Sequence, residues 1–375
     1  MALAVADQSR APVAYGLRAV PQLFEELKNP DPGRRWRALN SLCDLLHDPE
    51  RLHQTITSGL VEELSPLLRD PDSTVRTRTC DLLHLLTAHA IGRRALLSSS
   101  LLAPLSLLLN DPDCGCRTAA LRVLHGITLL PSGTEALLSL VPKLFQKLRE
   151  TIQDTDEALG RKEGAEEGGS KEGTEEGGEQ GDTKEEELVL LLSILERCSR
   201  LDAVPALTSD GVVQLQVHLN HGSAHVRKEA AAAMMALSVP LEGKQQICAQ
   251  GVLSDILTLL QDPDTEVKAN AAGVCMNALV ITKGKLQCLD LGLIPVLLDI
   301  VSSEDLSVTS VDPEQTRSRR VLVLYCLRAL TLLSEAPAAR RLLMEERPRL
   351  EKWRHMDPEL SRAAETALRV ISWTP

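Results

Sequence analysis

Val252, Ile256, Leu259 and Leu260 recur at helical spacing, and the polar run Gln261–Asp262–Pro263–Asp264 then breaks the pattern. Pro263 disfavours helical geometry at Asp262 and has no amide hydrogen to continue the ladder, so the helix ends there. Asp264 or Thr265 is placed to cap the next helix. The apolar rhythm resumes at Val267 and returns at Ala271, Val274, Cys275 and Leu279, which predicts a second long helix from about Glu266 to about Lys283. Gly284 reads as a permissive break, and a short helix over "KLQCLD" leads to Gly292. No segment alternates in the way a strand would.

This punctuation repeats. "LLRDPDSTVRTRTC", "LLNDPDCGCRTAAL" and "LLQDPDTEVKANAAG" say nearly the same thing, and Asp70 and Asp111 stand 41 residues apart, with Asn29 a further 41 upstream. Gly92 and Gly133, Gly243 and Gly284, and Gly251 and Gly292 keep the same step. About eight units follow: 14–56, 57–99, 100–140, 141–209, 210–250, 251–291, 292–346 and a partial cap at 347–375. The fourth carries a long acidic insert, and the seventh a roughly ten-residue one around "DLSVTSVDPEQ". Each unit alone would leave an apolar face wet, so stacking must bury the core: an all-α solenoid.

Composition agrees, since only 2% of the residues are aromatic against 43% hydrophobic, a core of Leu, Ala and Val that suits packed helices. The net charge of −11 is local: residues 156–187 hold 13 acids against 4 bases. Rich in Gly and Glu and poor in apolar side chains, this segment reads as a disordered loop between an N-terminal half (14–155) and a C-terminal half (188–375). Residues 1–13 read as a flexible N-terminus without the pattern of a secretory signal, and no apolar run reaches the ~18 residues of a membrane span. The expectation is a soluble intracellular protein. Nine cysteines scattered through apolar helical pattern read as reduced, buried thiols.

The units resemble the armadillo and HEAT repeat families across nearly the whole chain, and the resemblance implies a right-handed superhelix. "SDILTLLQDPDTEVKANAAGVCMNAL" follows the armadillo order of helix, D-P turn and third helix. Asp70 with Arg76, Asp111 with Arg117 and Asp262 with Lys268 match the HEAT acid and base that link neighbouring repeats, which implies a structural role. Peptide-binding armadillo proteins carry a Trp and, four residues later, an Asn on each third helix. Here Asn277 fills the Asn position, but its Trp position is Gly273, and the aligned pairs are Asp81 and Leu85, Arg122 and Gly126, and Ala232 and Ala236. The missing Asn ladder argues for a folded partner rather than an extended peptide. More narrowly, "AYGLRAVPQLFEELKNPD", "RALNSLCDLLHDPE", "LSLLLNDPD", "EGKQQICAQGVLSDILTLLQDP", "LVITKGK" and "RALTLLSEAPAARRLL", in that order, resemble the radial spoke head 14 homologue family over residues 14–346 outside the acidic insert. That resemblance implies a non-catalytic radial spoke subunit of motile cilia and flagella, partnered by other spoke or axonemal proteins, in the axoneme and cytoplasmic cytoskeleton. A soluble adaptor that assembles axonemal complexes is the alternative.

Candidate chemistry does not change this picture. "LEGKQQ" and "ITKGKL" lack the strand and upstream glycine of a phosphate loop. His218, His221 and His225 span a helix corner without a nearby Cys or carboxylate, and Cys114 and Cys116 form a lone C-x-C. No strand-to-helix elbow supports a nucleophile, and slightly acidic repeats with few aromatics disfavour nucleic acid. We expect no enzyme activity, cofactor, metal, membrane or small-molecule substrate. The expected site is a concave protein-binding face on the third helices: Arg37, Asn40, Asp44, Arg78, Asp81, Arg122, Glu229, Asn270, Asn277 and Arg328.

Overall fold

The computed structural model describes residues 9–11, 16–151, 176–304 and 312–373, and every regular element among them is helical. The chain forms two compact bodies, residues 1–201 and 202–375. Each is a stack of armadillo-like repeats in which two shorter helical segments precede a longer third helix. The third helices of the N-terminal body are α1 (Pro32–Leu46), α2 (Ser73–Thr87), α3 (Cys114–Ile127) and α4 (Glu176–Leu201). Those of the C-terminal body are α5 (Ala224–Leu237), α6 (Thr265–Ala278), α7 (Pro313–Leu333) and α8 (Pro358–Ile371). Within each body every third helix packs on the next, and their buried faces are Leu, Ala, Val and Cys. Eight third helices are therefore present among the described residues, in keeping with the about eight units of the 41-residue step.

The D-P turn works as the sequence indicates. Asp72, Asp113, Asp264, Asp312 and Asp357 each cap a third helix by accepting a backbone amide near its first turn. The acid at the start of each turn does something else. Asp70 pairs with Arg35 at 2.7 Å, Asp111 with Arg76 at 2.7 Å, and Asp262 with Arg227 at 2.6 Å. The acid thus takes the arginine of the preceding repeat, 35 residues back, which corrects the pairings Asp70 with Arg76 and Asp111 with Arg117. Arg76 and Arg117 reach their own turns only through backbone carbonyls, those of Asp70 and Pro71 and of Asp111 and Pro112. One guanidinium therefore closes its own turn and grips the next. Asp262 is likewise held by Arg227, with Lys268 acting on it only through its charge.

The glycines at 92, 133, 243 and 284 do not act as permissive breaks. They lie inside helices, where a Cβ would stand 2.1 Å from the carbonyl oxygens of Leu86, Ile127 and Ala278, or 1.7 Å from that of Leu237. Each lets a short helix cross the end of the third helix before it. Gly59, Gly251 and Gly292, like Gly16, are conformational, with φ of 73°, 74° and 71° and open space around them.

Three boundaries differ from expectation. Residues 156–175 of the expected disordered insert lie outside the described residues, as do residues 1–8, 12 and 13 of the N-terminus, but residues 176–187 are helical and belong to α4. Glu187, only 1% exposed, accepts from Arg117 at 3.0 Å and so supplies the acid of the ladder in a repeat that has no D-P turn at that point. A buried, bidentate ion pair holds the end of a segment whose composition alone favours solvent. Helix α4 packs on α3, so the division between bodies falls after Leu201 rather than at the insert. In the seventh repeat the helix starts at Pro313, with Asp312 as its cap, inside the stretch read as an insert.

Candidate protein-binding face

All ten candidate residues lie on third helices, but they do not form one site. In the N-terminal body five of the six are already engaged. Asn40 and Ser41, each 3% exposed, meet residues 9–11: Asn40 Nδ2 donates to the Ser9 carbonyl at 3.1 Å, and the Ala11 amide donates to Ser41 Oγ at 3.0 Å. Arg10 pairs with Asp44 between them. Arg78 pairs with Asp81 one turn along α2, at 3.2 Å. Arg122 makes two 2.6 Å contacts with Glu186 of α4. Arg37 is half-buried on α1. A recess of about 450 Å³ brings Asn40, Arg78 and Asp81 together beside Arg10 and Trp36. The charges here act on one another through a short distance: burial pushes the Cys43 thiol up to about 11, Arg78 and Arg10 pull it down, and Asp81 and Asp44 push it up.

In the C-terminal body all four candidates tie helices together or meet a charge, Arg328 through Glu359 of α8. Asn270 Nδ2 donates to the Lys228 carbonyl of α5 at 3.2 Å, Asn277 Nδ2 to Ser238 Oγ at 2.8 Å, and Glu229 lies 3.6 Å from Lys228. The space above Gly273 explains why no Trp stands there: a Cβ would already lie 2.2 Å from Met235 Sδ and 3.3 Å from Tyr325. Those two side chains fill the place the family gives to Trp.

An open groove of about 610 Å³ runs across α6, α7 and α8. Met276, Val280, Leu332 and Ala363 give it apolar walls, with Val280 57% exposed, while Arg328, Glu359 and Arg362 give it charge. Arg328 and Glu359 pair across it at 3.3 Å. The sequence reading found Asn277 and Arg328 of this groove and missed Met276, Val280, Leu332, Glu359 and Arg362. It followed one register of positions on each helix, whereas a groove wall also takes the neighbours of that register. Val280 offered a signal, since it is an apolar residue just past a helix end, in line with exposed Leu129 and Val239 before the equivalent glycines.

The ladder is electrostatically set. Burial raises the Asp111 carboxyl, but Arg76 and the Asp113 amide outweigh it and hold it below the usual carboxylate range; Arg227 and the Asp264 amide do the same for Asp262. Burial, with a smaller contribution from Arg197, depresses His125 on α3 to about 4, and burial with His221 depresses His218 to about 4. All nine cysteines are free thiols, eight of them buried. Among the described residues no three His, Cys, Asp or Glu side chains cluster as metal ligands would, and no single helix is long and apolar enough to cross a membrane.

No protein-family model matches the chain. A crystal structure of an engineered protein from a structural genomics consortium is similar over 95% of this chain and 99% of its own, at 18% identity and a TM-score of 0.52. A designed armadillo repeat protein is similar over 83% of this chain and 100% of its own, at 15% identity and a TM-score of 0.44. The first of these supports a shared fold over nearly the full length. The armadillo-like class rests on the repeats themselves: short helices, a capped third helix, and an ion pair from each turn to the repeat before it.

Proposed function

We propose that this chain is a non-catalytic scaffold that binds other proteins through the groove on α6–α8, and that its place is the radial spoke of motile cilia. The observation that carries the binding role is the groove: an apolar wall built from three successive third helices and edged by Arg328, Glu359 and Arg362. Apolar surface with a charged rim is the anatomy of a protein interface, in which the apolar part supplies affinity and the charges fix register. Its occupant is a helix or folded surface of another spoke or axonemal protein. The ciliary setting is supported by the order of sequence segments that resemble the radial spoke head 14 homologue family. A photo-crosslinking residue in place of Leu332, introduced in ciliated cells, tests the pairing. The expected result is a covalent adduct with one axonemal protein; irradiated axonemes that yield only the unmodified chain would overturn it.

A further inference from the structure

The residues on the first third helix meet a segment of the chain itself, and the way they do so describes a ligand. Asn40 donates to the carbonyl of Ser9 and Ser41 accepts from the amide of Ala11, so the two contacts on either side of Arg10 are to backbone. Between them Arg10 supplies the side-chain specificity through Asp44. The segment turns at Ser9 and bends at Arg10, and it is read by its backbone with one charged side chain as the key. Asn40 and Ser41 are buried polar groups, which need such partners. The adjoining recess, bordered by Trp36, Thr77, Arg78, Asp81 and Asp113, continues beyond Arg10; Asp81 there is paired with Arg78, so Asp44 is the carboxylate that takes the arginine.

We propose that the first two repeats form a binding site for a short basic turn segment, an arginine between two small residues, and that the chain's own residues 9–11 occupy it in cis. A segment of the same chemistry on another protein then binds only by displacing them. Because few residues separate the segment from the body it sits on, its effective concentration is on the order of mM, which holds the site closed against weak ligands. The inference concerns the N-terminal body and rests on neither the groove nor the ciliary setting.

The test uses the full chain and a fluorescent peptide with the sequence of residues 1–15. Arg10→Glu sets two like charges side by side at Asp44 and should release the cis segment, so this variant should bind the peptide at least tenfold more tightly than wild type. Adding Asp44→Lys to Arg10→Glu restores an opposite-charge pair in cis and repels the peptide arginine, so binding should fall back. In the wild-type chain the Ala11 amide should exchange its hydrogen at least tenfold more slowly than in the free peptide. Equal peptide affinity in wild type and Arg10→Glu, no binding to either, or Ala11 exchange as fast as in the peptide would each overturn the proposal.

Discussion

On the N-terminal body the charged side chains of the third helices find partners within the chain: Arg10 for Asp44, Asp81 for Arg78 and Glu186 for Arg122. On the C-terminal body α6, α7 and α8 leave an open groove with Met276, Val280 and Leu332 in its wall. Both bodies use the same ladder and the same caps. A repeat thus fixes how helices stack, through the turn and its buried arginine, while leaving the outer positions of the third helix free to differ. Stacking is set in the turn, and the variation lies in the face.

Breaking the shared part should have the largest effect. Arg76→Ala leaves Asp111 buried without its guanidinium, and removing one member of a buried ion pair costs about 3–5 kcal/mol. Arg227→Ala should do the same beside Asp262 in the other body. Urea unfolding measures both. Substituting both members of a pair by apolar residues should restore most of the loss, because the penalty comes from the stranded charge. If the single variants unfold at the wild-type midpoint, the ladder is ornamental.

The two classes of glycine separate next. Gly92→Ala sets a methyl group 2.1 Å from the Leu86 carbonyl and must move a helix, whereas Gly251→Ala adds only left-handed strain of about 1–2 kcal/mol. Thermal melts should rank them in that order. A similar contrast divides the insert. Deleting residues 156–175 should leave the melting temperature nearly unchanged, since a Gly- and Glu-rich stretch with so few apolar side chains has little to bury. Deleting 156–187 removes Glu187 and strands Arg117, so it should lower the melting temperature clearly.

Acid probes the buried histidines. Their folded values of about 4 lie below the ordinary value of 6.5, so folding favours the neutral form. The stability they contribute is complete above pH 6.5 and is lost as pH falls through that value toward about 4, a few kcal/mol at most for each group. Melting temperature should therefore fall between pH 7 and pH 4.5, and His125→Gln with His218→Gln should flatten that slope. Asp111 and Asp262, held below the usual range, should release their contribution only at lower pH. A slope that persists in the double variant would locate the titration elsewhere.

Among the ion pairs the smallest effect belongs to the exposed one. Arg122 and Glu186 are each 40% accessible, so Glu186→Ala should cost less than about 1 kcal/mol. Its loss beside that of Glu187→Ala, one residue on, would show how far burial decides the worth of an ion pair.

Helices, repeat number and caps were legible in the sequence because they depend on local rules: spacing of apolar residues, proline at the turn, aspartate before the helix. The partner of each ladder acid was not, since Arg35 and Asp70 are brought together by stacking and sequence shows only that both occur. Glu187 was hidden by its neighbours: composition averaged it into an acidic run, although "EEELVLLL" shows an apolar helix beginning there. The role of Gly92 was misread because a glycine demanded by a close approach looks the same in sequence as one demanded by φ. The ten positions fall on third helices as the spacing places them, but which of them meet partners from within the chain depended on residues 9–11 and on α4.

The central claim is that the open groove, and not the closed N-terminal face, holds the protein to its assembly. Tagged wild type and the double variant Val280→Glu, Leu332→Glu should be expressed in ciliated cells, and their axonemes washed with high salt. The account predicts wild type in the washed axoneme and the folded variant in the soluble pool, with Arg37, Arg78 and Arg122 reversed to Glu having little effect on retention. Wild type in the soluble pool would contradict the spoke assignment and favour an assembly factor. Retention of the groove variant, with loss of the arginine variant, would place the interface on the N-terminal face instead.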